Sequence, residues 1–354
     1  DRTRQNLKNI IMAKSFISQK KYILSALGCL LIIIGLVYYF FFSALSVKSS
    51  TQYVYIDDDD NIDSVYAKVK EISTDRGYMA FTTLARHWDL AEKIRPGRYE
   101  VTTGNGAFTV FRKLKNGLQS PVNLTIPSVR TLDKLADEVS KKLMFSKDDF
   151  LKAVSDTATC RKYGYTPESI AAMFIPNTYS VYWNISVDKF LDKMQKENKK
   201  FWSFERENKA KAMGLSPIEV ITMASIVDEE TANDQEKPMI AGMYYNRLKG
   251  DMPLQADPTV KFALKKFELK RIYHNMLSFD SPYNTYKYKG LPPGPIRIPS
   301  VAGIDAVLNY VHHDYLYMCA KEDFSGTHNF ARTYEEHKEN ARKYTKALND
   351  RGIN

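Results

Sequence analysis

A long uncharged segment near the N-terminus constrains this chain more than any other feature. Residues Tyr22 to Val47 carry no charge and are mostly Leu, Ile, Val and Phe. A helix needs about 20 apolar residues to cross the hydrocarbon core of a bilayer, and this segment exceeds that length. It is also longer than the apolar core of a cleavable signal peptide, and no small-residue cleavage site follows it. We therefore predict an uncleaved transmembrane anchor over residues 22–47.

The charges before this segment predict its orientation. Residues 1–21 contain one acid, Asp1, and six basic residues: Arg2, Arg4, Lys8, Lys14, Lys20 and Lys21. Because basic residues stay on the cytoplasmic side, we predict a cytoplasmic basic segment over 1–21. The rest of the chain would be periplasmic or otherwise extracytoplasmic, held by a single pass through the inner (cytoplasmic) membrane. Met12 has the form of a natural start, which leaves open whether residues 1–11 are native.

The outer part of the chain keeps about half of the net charge of +10, since six bases minus one acid leave +5 before the anchor. A mildly basic surface suits a polyanionic cell wall, although solubility alone explains such a surplus equally well. We expect no nucleic-acid partner. Cys160 and Cys319 would lie in an oxidising compartment, and the sequence allows either a disulfide or two buried thiols.

Residues 51–122 predict a small α+β module. Tyr53 to Ile56 is strand-like, and apolar residues from Ile62 recur at helical spacing. Phe81 to Trp88 suggests a second short helix, Pro96 to Val101 a second strand, and Thr109 to Leu114 a further helix. The order strand, helix, helix, strand is therefore expected for this part of the chain.

Residues 123–354 predict a larger mixed α/β domain, so that the whole chain belongs to the α+β class. A strand over Leu124 to Ile126 precedes mainly helical segments, and Phe174 to Tyr179 is expected to be an extended aromatic loop. Helices are predicted over Thr131 to Leu143, from Ser146, over Asp188 to Trp202, from Ser216, and over residues 236–248.

The helix that begins at Ser216 ends in three consecutive carboxylates. Ser216 reads as its N-cap, Pro217 as the first helical residue, and Glu219 completes a capping box. Four apolar residues then recur at helical spacing and should face a core: Val220, Met223, Ala224 and Val227. Asp228, Glu229 and Glu230 fall in the last turn, where the negative end of the helix dipole raises a carboxylate's pKa. A carboxylic acid that stays protonated near neutral pH can act as a general acid.

Four later blocks carry groups that bind sugars well. They are Gln255 with Asp257, the run Tyr283 to Tyr286, the stiff Pro- and Gly-rich loop Gly290 to Ile296, and His328-Asn329-Phe330. Aromatic rings stack on sugar faces, while amides and carboxylates bind hydroxyl groups. Each block also has a structural interpretation as a turn, a core aromatic or, for Asn246-Arg247, hydrogen bonds at a helix end.

Other chemistries lack their sequence signals. His328 and His337 have no third ligand at metal spacing, and the HExxH motif is absent. No serine nucleophile elbow, phosphate-binding loop or dinucleotide-binding loop is present either. We therefore predict no metal and no cofactor.

Taken in order, the blocks form a specific series. It reads Ala224-Ser225-Ile226-Val227-x-x-Glu230-Thr231, Asn246-Arg247-Leu248, Leu254-Gln255-x-Asp257-Pro258-Thr259-Val260, Tyr283-Asn284-Thr285-Tyr286 and Gly290-Leu291-Pro292-Pro293-Gly294. This series resembles the MltG/YceG-like family of endolytic murein transglycosylases. The match extends back through Gly97-Arg98-Tyr99 and on to His328-x-Phe330.

The resemblance implies an architecture and an activity. The family has one N-terminal membrane anchor, a small LysM-like module (here 51–122) and a YceG-like catalytic domain (here 123–354). It cleaves the β-1,4 bond between N-acetylmuramic acid and N-acetylglucosamine inside peptidoglycan strands. No water is added, and 1,6-anhydro-N-acetylmuramic acid ends remain. Peptidoglycan strands would be the substrate, and peptidoglycan synthases are the implied partners.

The resemblance also places the catalytic acid in the carboxylate block. Many relatives carry Glu where this chain has Asp228, whereas Glu230 keeps the family's second acid. We therefore assign general acid–base catalysis to Glu230. The residues expected to bind substrate are Asp228, Asn246, Gln255, Asp257, Tyr283, Asn284, Tyr286, His328 and Phe330.

Three alternatives remain at this stage. A non-catalytic peptidoglycan-binding scaffold for cell-wall assembly would use the same cleft without needing Glu230. A conventional muramidase would pair Glu230 with a second carboxylate such as Asp257 and leave reducing ends. A lyase dependent on pyridoxal phosphate would need a Schiff-base lysine and a phosphate cup, neither of which is clear in the sequence.

Overall fold

The computed structural model describes residues 2–269 and 272–352, which form two units. The first unit contains the residues up to Pro121 together with Tyr182–Asn184. The second contains Val122–Val181 and the residues from Ile185 onward. The described residues form a mixed arrangement of helices and short antiparallel strands, with one long apolar helix at the N-terminus, as the sequence predicts.

The N-terminal helix α1 (Arg2–Phe42) contains the apolar stretch Gln19–Phe42, which is long enough to cross a membrane and is not buried in protein. The helix ends five residues before Val47, the predicted end of the anchor. The difference arises because Leu45 is fully buried in the core of the first unit. The last part of the apolar run therefore belongs to that core.

The rest of the first unit has the predicted order strand, helix, helix, strand. Strand β1 (Gln52–Ile56) pairs antiparallel with β2 (Gly97–Val101), and helices α2 (Ile62–Ile72) and α3 (Asp75–His87) lie between them in sequence. Helix α3 begins six residues before the predicted Phe81 because the side chain of Thr74 caps it. Helix α4 (Ala107–Asn116) follows.

The second unit contains two antiparallel strand pairs and ten helices among its described residues. Strand β3 (Val122–Ile126) pairs with β4 (Asn177–Val181), and β5 (Tyr317–Ala320) pairs with β6 (His328–Ala331). The predicted aromatic loop thus ends in a strand. The helices are α5 (Leu132–Ser140), α6 (Lys147–Ser155), α7 (Thr157–Lys162), α8 (Val187–Phe201), α9 (Phe204–Ala212), α10 (Pro217–Glu230), α11 (Lys237–Lys249), α12 (Asp257–Ala263), α13 (Val301–Leu308) and α14 (Tyr334–Asp350).

Helix α10 is the centre of one hydrophobic core of this unit. Every residue from Val220 to Val227 is buried, which confirms the predicted inward face and extends burial to all sides of the helix. Helices α11 and α13 pack against it. A helix enclosed in this way holds its last turn in a fixed position.

Candidate active site

The start of α10 follows the sequence prediction. The Ser216 hydroxyl accepts from the backbone of Glu219, and the Glu219 carboxylate accepts from the backbone N–H of Ser216 at 2.7 Å. Further along, Ser225 accepts a hydrogen bond from the backbone N–H of Ile296 at 3.0 Å. The Pro- and Gly-rich loop is thereby attached to the helix whose end carries the three acids.

The side chain of the first acid, Asp228, is buried against Ser300, the residue that caps the start of α13. Its carboxylate accepts hydrogen bonds from the Ser300 backbone N–H at 2.5 Å and from the Ser300 hydroxyl at 3.1 Å. It also forms a buried ion pair with Lys237 at 2.8 Å. A Cβ at Gly303 would collide with this carboxylate, so the glycine allows the close approach. Asp228 therefore joins α10, α11 and α13.

The second acid, Glu229, is neutralised by two arginines. Arg130 donates to both carboxylate oxygens, at 2.9 and 3.0 Å, and Arg297 donates at 2.9 Å. Its side chain is largely buried by these contacts. Both carboxylate oxygens of Glu229 are therefore occupied by arginine side chains.

The third acid, Glu230, lines a cavity of about 340 Å³. Its Oε1 accepts a hydrogen bond from the Tyr244 hydroxyl at 2.5 Å. The cavity is lined by residues from α10, α11, α12, β5, β6 and α14, together with loop residues: Glu230, Met243, Tyr244, Arg247, Leu254, Gln255, Asp257, Tyr286, Tyr317, Met318, Cys319, Ala320, His328 and His337.

Burial raises the pKa of Glu230 from 4.5 to about 7. The hydrogen bond from Tyr244 opposes this rise because it favours the ionised form, whereas the negative charge of Asp257 adds to it. A raised pKa agrees with the sequence prediction, although burial is its largest cause and not the helix dipole. A carboxyl group with this pKa can both donate and accept a proton near neutral pH.

Asp257 and Tyr286 meet at another wall of the cavity. The Tyr286 hydroxyl donates to Asp257 Oδ1 at 2.6 Å, and burial together with this carboxylate raises the pKa of Tyr286. The Thr285 hydroxyl accepts from the Ala256 backbone N–H at 3.0 Å, which connects the Tyr286 segment to the start of α12. The structure therefore brings these two predicted residues together with Glu230.

Arg247 organises the loop that carries Gln255. Its guanidinium donates to Gln255 Oε1 at 2.7 Å and to the carbonyl oxygens of Pro253 at 2.9 Å and Leu316 at 2.8 Å. Gln255 has a φ of 53°, a left-handed conformation that non-glycine residues rarely adopt. The three hydrogen bonds from the buried guanidinium stabilise this conformation, and the Gln255 oxygen is used in doing so.

His328 is oriented by a buried acid that the sequence analysis had not singled out. Glu236 accepts from the His328 backbone N–H at 2.6 Å, and its other oxygen lies 3.0 Å from Nδ1. Because Nδ1 is occupied, Nε2 is the ring nitrogen left for a ligand in the cavity. A carboxylate held to both backbone and ring fixes the side-chain orientation of His328.

Five predicted substrate-binding residues do not line this cavity: Asp228, whose contacts are given above, Asn246, Tyr283, Asn284 and Phe330. The amides of Asn246 and Asn284 donate to backbone carbonyls, Asn246 to His313 and Tyr315 and Asn284 to Leu277 and Phe279. Tyr283 packs against Phe262, with the two rings tilted by 48°, and lines a separate cavity of about 360 Å³. Phe330 packs beside Tyr315.

The sequence analysis missed several residues that do line the cavity. Tyr244 and Arg247 are three residues apart on α11, a spacing that places them on one face. Tyr317 and Cys319 alternate along β5, and His337 stacks on Tyr317 with ring centroids 5.4 Å apart. The three-residue spacing of Tyr244 and Arg247 could have been used to predict that they share a face of α11. The cavity residues on β5 and α14 could not be predicted, because they lie far from α10 in sequence.

Within residues 2–269 and 272–352, all three cysteines are free thiols. Cys160 is buried, and its thiol donates to the carbonyl of Val154 at 3.3 Å, while Cys319 lies in the cavity. The structure therefore contains the two separate thiols rather than the disulfide. In the same described ranges, no three His, Cys, Asp or Glu residues come together in a metal-binding arrangement.

A mixed α/β fold that buries one acid of raised pKa in a polar cavity defines a candidate acid–base enzyme. The model of the YceG-like family matches residues 54–343, so this chain belongs to the YceG-like family. The resemblance inferred from the motif series is thereby confirmed.

Similar proteins have been named for an activity. A Bacillus subtilis protein named endolytic murein transglycosylase is 28% identical over 277 residues, which cover 74% of this chain and 76% of the relative. A Streptococcus pneumoniae protein of the same name is 27% identical over 314 residues, which cover 80% of this chain and 56% of the relative.

The fold has a solved counterpart as well. A crystal structure of a yceG-like protein from Listeria monocytogenes, at 2.6 Å resolution, aligns with a TM-score of 0.53 and 27% sequence identity. The alignment covers 82% of this chain and 99% of that chain.

Proposed function

We propose that this protein is a membrane-anchored endolytic lytic transglycosylase that cleaves the β-1,4 bond between N-acetylmuramic acid and N-acetylglucosamine in peptidoglycan. The observation that carries the proposal is Glu230, a mostly buried acid with a pKa of about 7 in a polar cavity. The names of the relatives from Bacillus subtilis and Streptococcus pneumoniae support the choice of substrate.

In the proposed reaction, Glu230 acts first as an acid and then as a base. The protonated carboxyl gives its proton to the glycosidic oxygen as the bond from that oxygen to the anomeric carbon breaks. The resulting carboxylate takes the proton from the C6 hydroxyl of the muramic acid as that oxygen bonds to the anomeric carbon. The products are a 1,6-anhydro end and a free hydroxyl on the other sugar. No water is consumed, and Glu230 is protonated again.

Tyr244 decides which oxygen of Glu230 carries the proton. Since Oε1 accepts the Tyr244 hydroxyl at 2.5 Å, Oε2 is the oxygen available to protonate a substrate. The hydrogen bond also stabilises the carboxylate that forms in the first step. By lowering the pKa of Glu230, it favours proton donation in the first step.

The remaining site residues divide into two groups by position. Gln255, Asp257, Tyr286 and His328 line the cavity with Glu230, and we assign substrate binding to them. We assign positioning roles to Asp228, Asn246, Asn284 and Glu236, which do not line the cavity. Arg247 lines the cavity, and we assign it a positioning role because its guanidinium holds Gln255. Substrate contacts of Tyr283 and Phe330 stay predictions, since neither lines this cavity.

We extend the proposal to the setting of the enzyme. The apolar helix Gln19–Phe42 supports a single-pass anchor in the inner membrane, and the basic residues before it support an extracytoplasmic position for the remainder. The predicted divisions at residues 21 and 122, the LysM-like character of the small module and a partnership with peptidoglycan synthases belong to the same proposal. The division predicted at residue 47 moves to Phe42, where the helix ends.

A conventional muramidase is a second candidate, because Asp257 lines the same cavity as Glu230. A water activated by Asp257 would then replace the C6 hydroxyl, and the new ends would be reducing. The transglycosylase is favoured because the relatives from Bacillus subtilis and Streptococcus pneumoniae are named endolytic murein transglycosylase.

Digestion of purified peptidoglycan sacculi tests the proposed function. Three forms of the full chain are compared: wild type, Glu230→Gln and, as a matched control, Glu138→Gln at an exposed surface ion pair. Mass spectrometry should find 1,6-anhydro ends with wild type and Glu138→Gln only. Equal yields from Glu230→Gln, or none from wild type, would refute it.

A further inference from the structure

An apolar notch lies where the N-terminal helix meets the small module of the first unit. Val37, Phe41 and Phe42 form the helix side of this anchor notch, and Thr83, Trp88 and Phe108 are among the residues on the module side. It encloses about 330 Å³. Val37, Phe42 and Trp88 are between 44% and 50% exposed and line the same notch, so they form a contiguous exposed apolar patch.

The polar atoms beside the notch are directed into α3 itself. The Thr83 hydroxyl donates to the carbonyl of Met79 at 2.8 Å, and Nδ1 of His87 lies 3.2 Å from the carbonyl of Thr83. Phe42 and Phe108 are in contact, with ring centroids 5.1 Å apart. The walls therefore present mainly methyl groups and aromatic rings, a surface that suits a hydrocarbon chain.

The notch cannot separate from the helix that enters the membrane. Arg76 of α3 donates to the carbonyls of Tyr39 and Phe40, both at 3.1 Å, and to that of Ala44 at 2.6 Å. Two of the free carbonyls in the last turn of the helix are thereby satisfied. Ala44 also forms a β-bridge to Gly106. The helix thus enters the module core directly, with no flexible linker between them.

The length of the apolar helix determines how deep in the bilayer the notch would lie. Gln19–Phe42 has 24 residues. At about 1.5 Å per residue it spans about 36 Å, compared with about 30 Å for the hydrocarbon core. Val37 to Phe42 would therefore lie near the boundary between the acyl chains and the headgroups. Aromatic residues such as Trp88 are typical of that boundary.

We infer that the anchor notch binds the acyl chain of a bilayer phospholipid and that Trp88 lies against it at the membrane interface. This inference rests on the proposed membrane anchor and is independent of the proposed catalytic role of Glu230. The module would then have a fixed face on the bilayer surface, formed by the exposed side of α3.

Tryptophan quenching tests the inference, since the chain contains three tryptophans: Trp88, Trp183 and Trp202. The full chain is reconstituted into phosphatidylcholine vesicles with a nitroxide label near the headgroup end of the acyl chain. We expect quenching in wild type, loss of that quenching in Trp88→Phe, and retained quenching in Trp183→Phe. Thr83→Phe, which fills the notch, should also reduce quenching, whereas Met79→Phe outside it should not.

Vesicle flotation is measured on the same samples, so that failure of the anchor is distinguished from failure of the notch. A chain that floats but shows no quenching, or equal quenching in wild type and Trp88→Phe, would overturn the inference. Equal effects of Thr83→Phe and Met79→Phe on quenching would overturn the inference that an acyl chain occupies the notch. A chain that does not float overturns the anchor and the notch together, whatever its activity on peptidoglycan.

Discussion

The buried acid at the end of α10 should cost stability wherever it is ionised. The pKa of Glu230 is 4.5 in an ordinary environment and about 7 in the folded protein. Between these values the folded state holds a proton that the unfolded state has released, so folding stability falls as pH rises. Each pH unit corresponds to about 1.4 kcal/mol, so the full loss is about 3 kcal/mol at pH values above about 7.

Glu230→Gln should remove this cost, because the neutral amide has nearly the same shape and its oxygen can still accept from Tyr244. We expect the variant to be no more stable than wild type at pH 4.5 and progressively more stable as the pH rises. For a unit of this size, about 3 kcal/mol corresponds to about 6–12 °C in melting temperature. The assay is thermal unfolding of the full chain in detergent micelles across this pH range.

The control is Glu138→Gln, whose carboxylate lies in an exposed ion pair with Lys141. Its melting temperature should follow that of wild type at every pH. A difference between wild type and Glu230→Gln that stays constant with pH would refute the reasoning. So would a difference that shrinks as the pH rises.

Three further predictions concern neighbouring residues. Tyr244→Phe removes a hydrogen bond that lowers the pKa of Glu230, so this pKa should rise. In a pH–rate profile, the pH above which kcat/KM falls should therefore be higher in the variant than in wild type. An unchanged or lower value would contradict this. Asp228→Ala removes the buried partner of Lys237, which keeps only its ion pair with the exposed Asp234, and should lower the free energy of unfolding by about 3–5 kcal/mol. Denaturant unfolding measures this loss, and a value below about 1 kcal/mol would count against the importance of the buried pair. Burial raises the pKa of the Cys319 thiol, so its alkylation should be slow at neutral pH and faster above pH 9.0. Because Cys319 lines the cavity, alkylation should block activity in wild type but not in Cys319→Ser.

Local signals in the sequence were sufficient for much of the fold. The Ser216 cap and the apolar spacing of α10 follow from hydrogen bonding and burial within a few residues, and both appear in the structure. The end of α1 was harder, because Leu45 continues the apolar run in sequence while its side chain packs into the module core. An apolar pattern alone does not distinguish lipid from protein as the surrounding medium.

The candidate site shows the same division. Gln255, Asp257 and Tyr286 come from motifs that a sequence displays, and they lie in the cavity with Glu230. The different environments of Asp228 and Glu230 could not be predicted, since they depend on how α10 packs against α11, which carries Lys237 and Tyr244, and against Ser300, 72 residues after Asp228. Although the two acids are only two residues apart on α10, Asp228 joins three helices and Glu230 faces the cavity.

In the proposed reaction, Glu230 transfers a proton within the substrate and no water enters the product. Peptidoglycan digestion in water enriched in oxygen-18, followed by mass spectrometry of the new ends, distinguishes this reaction from hydrolysis. We expect anhydro ends without the heavy oxygen from wild type and no new ends from Glu230→Gln. Reducing ends that carry oxygen-18 would contradict it and would indicate hydrolysis with Asp257 as the second carboxylate.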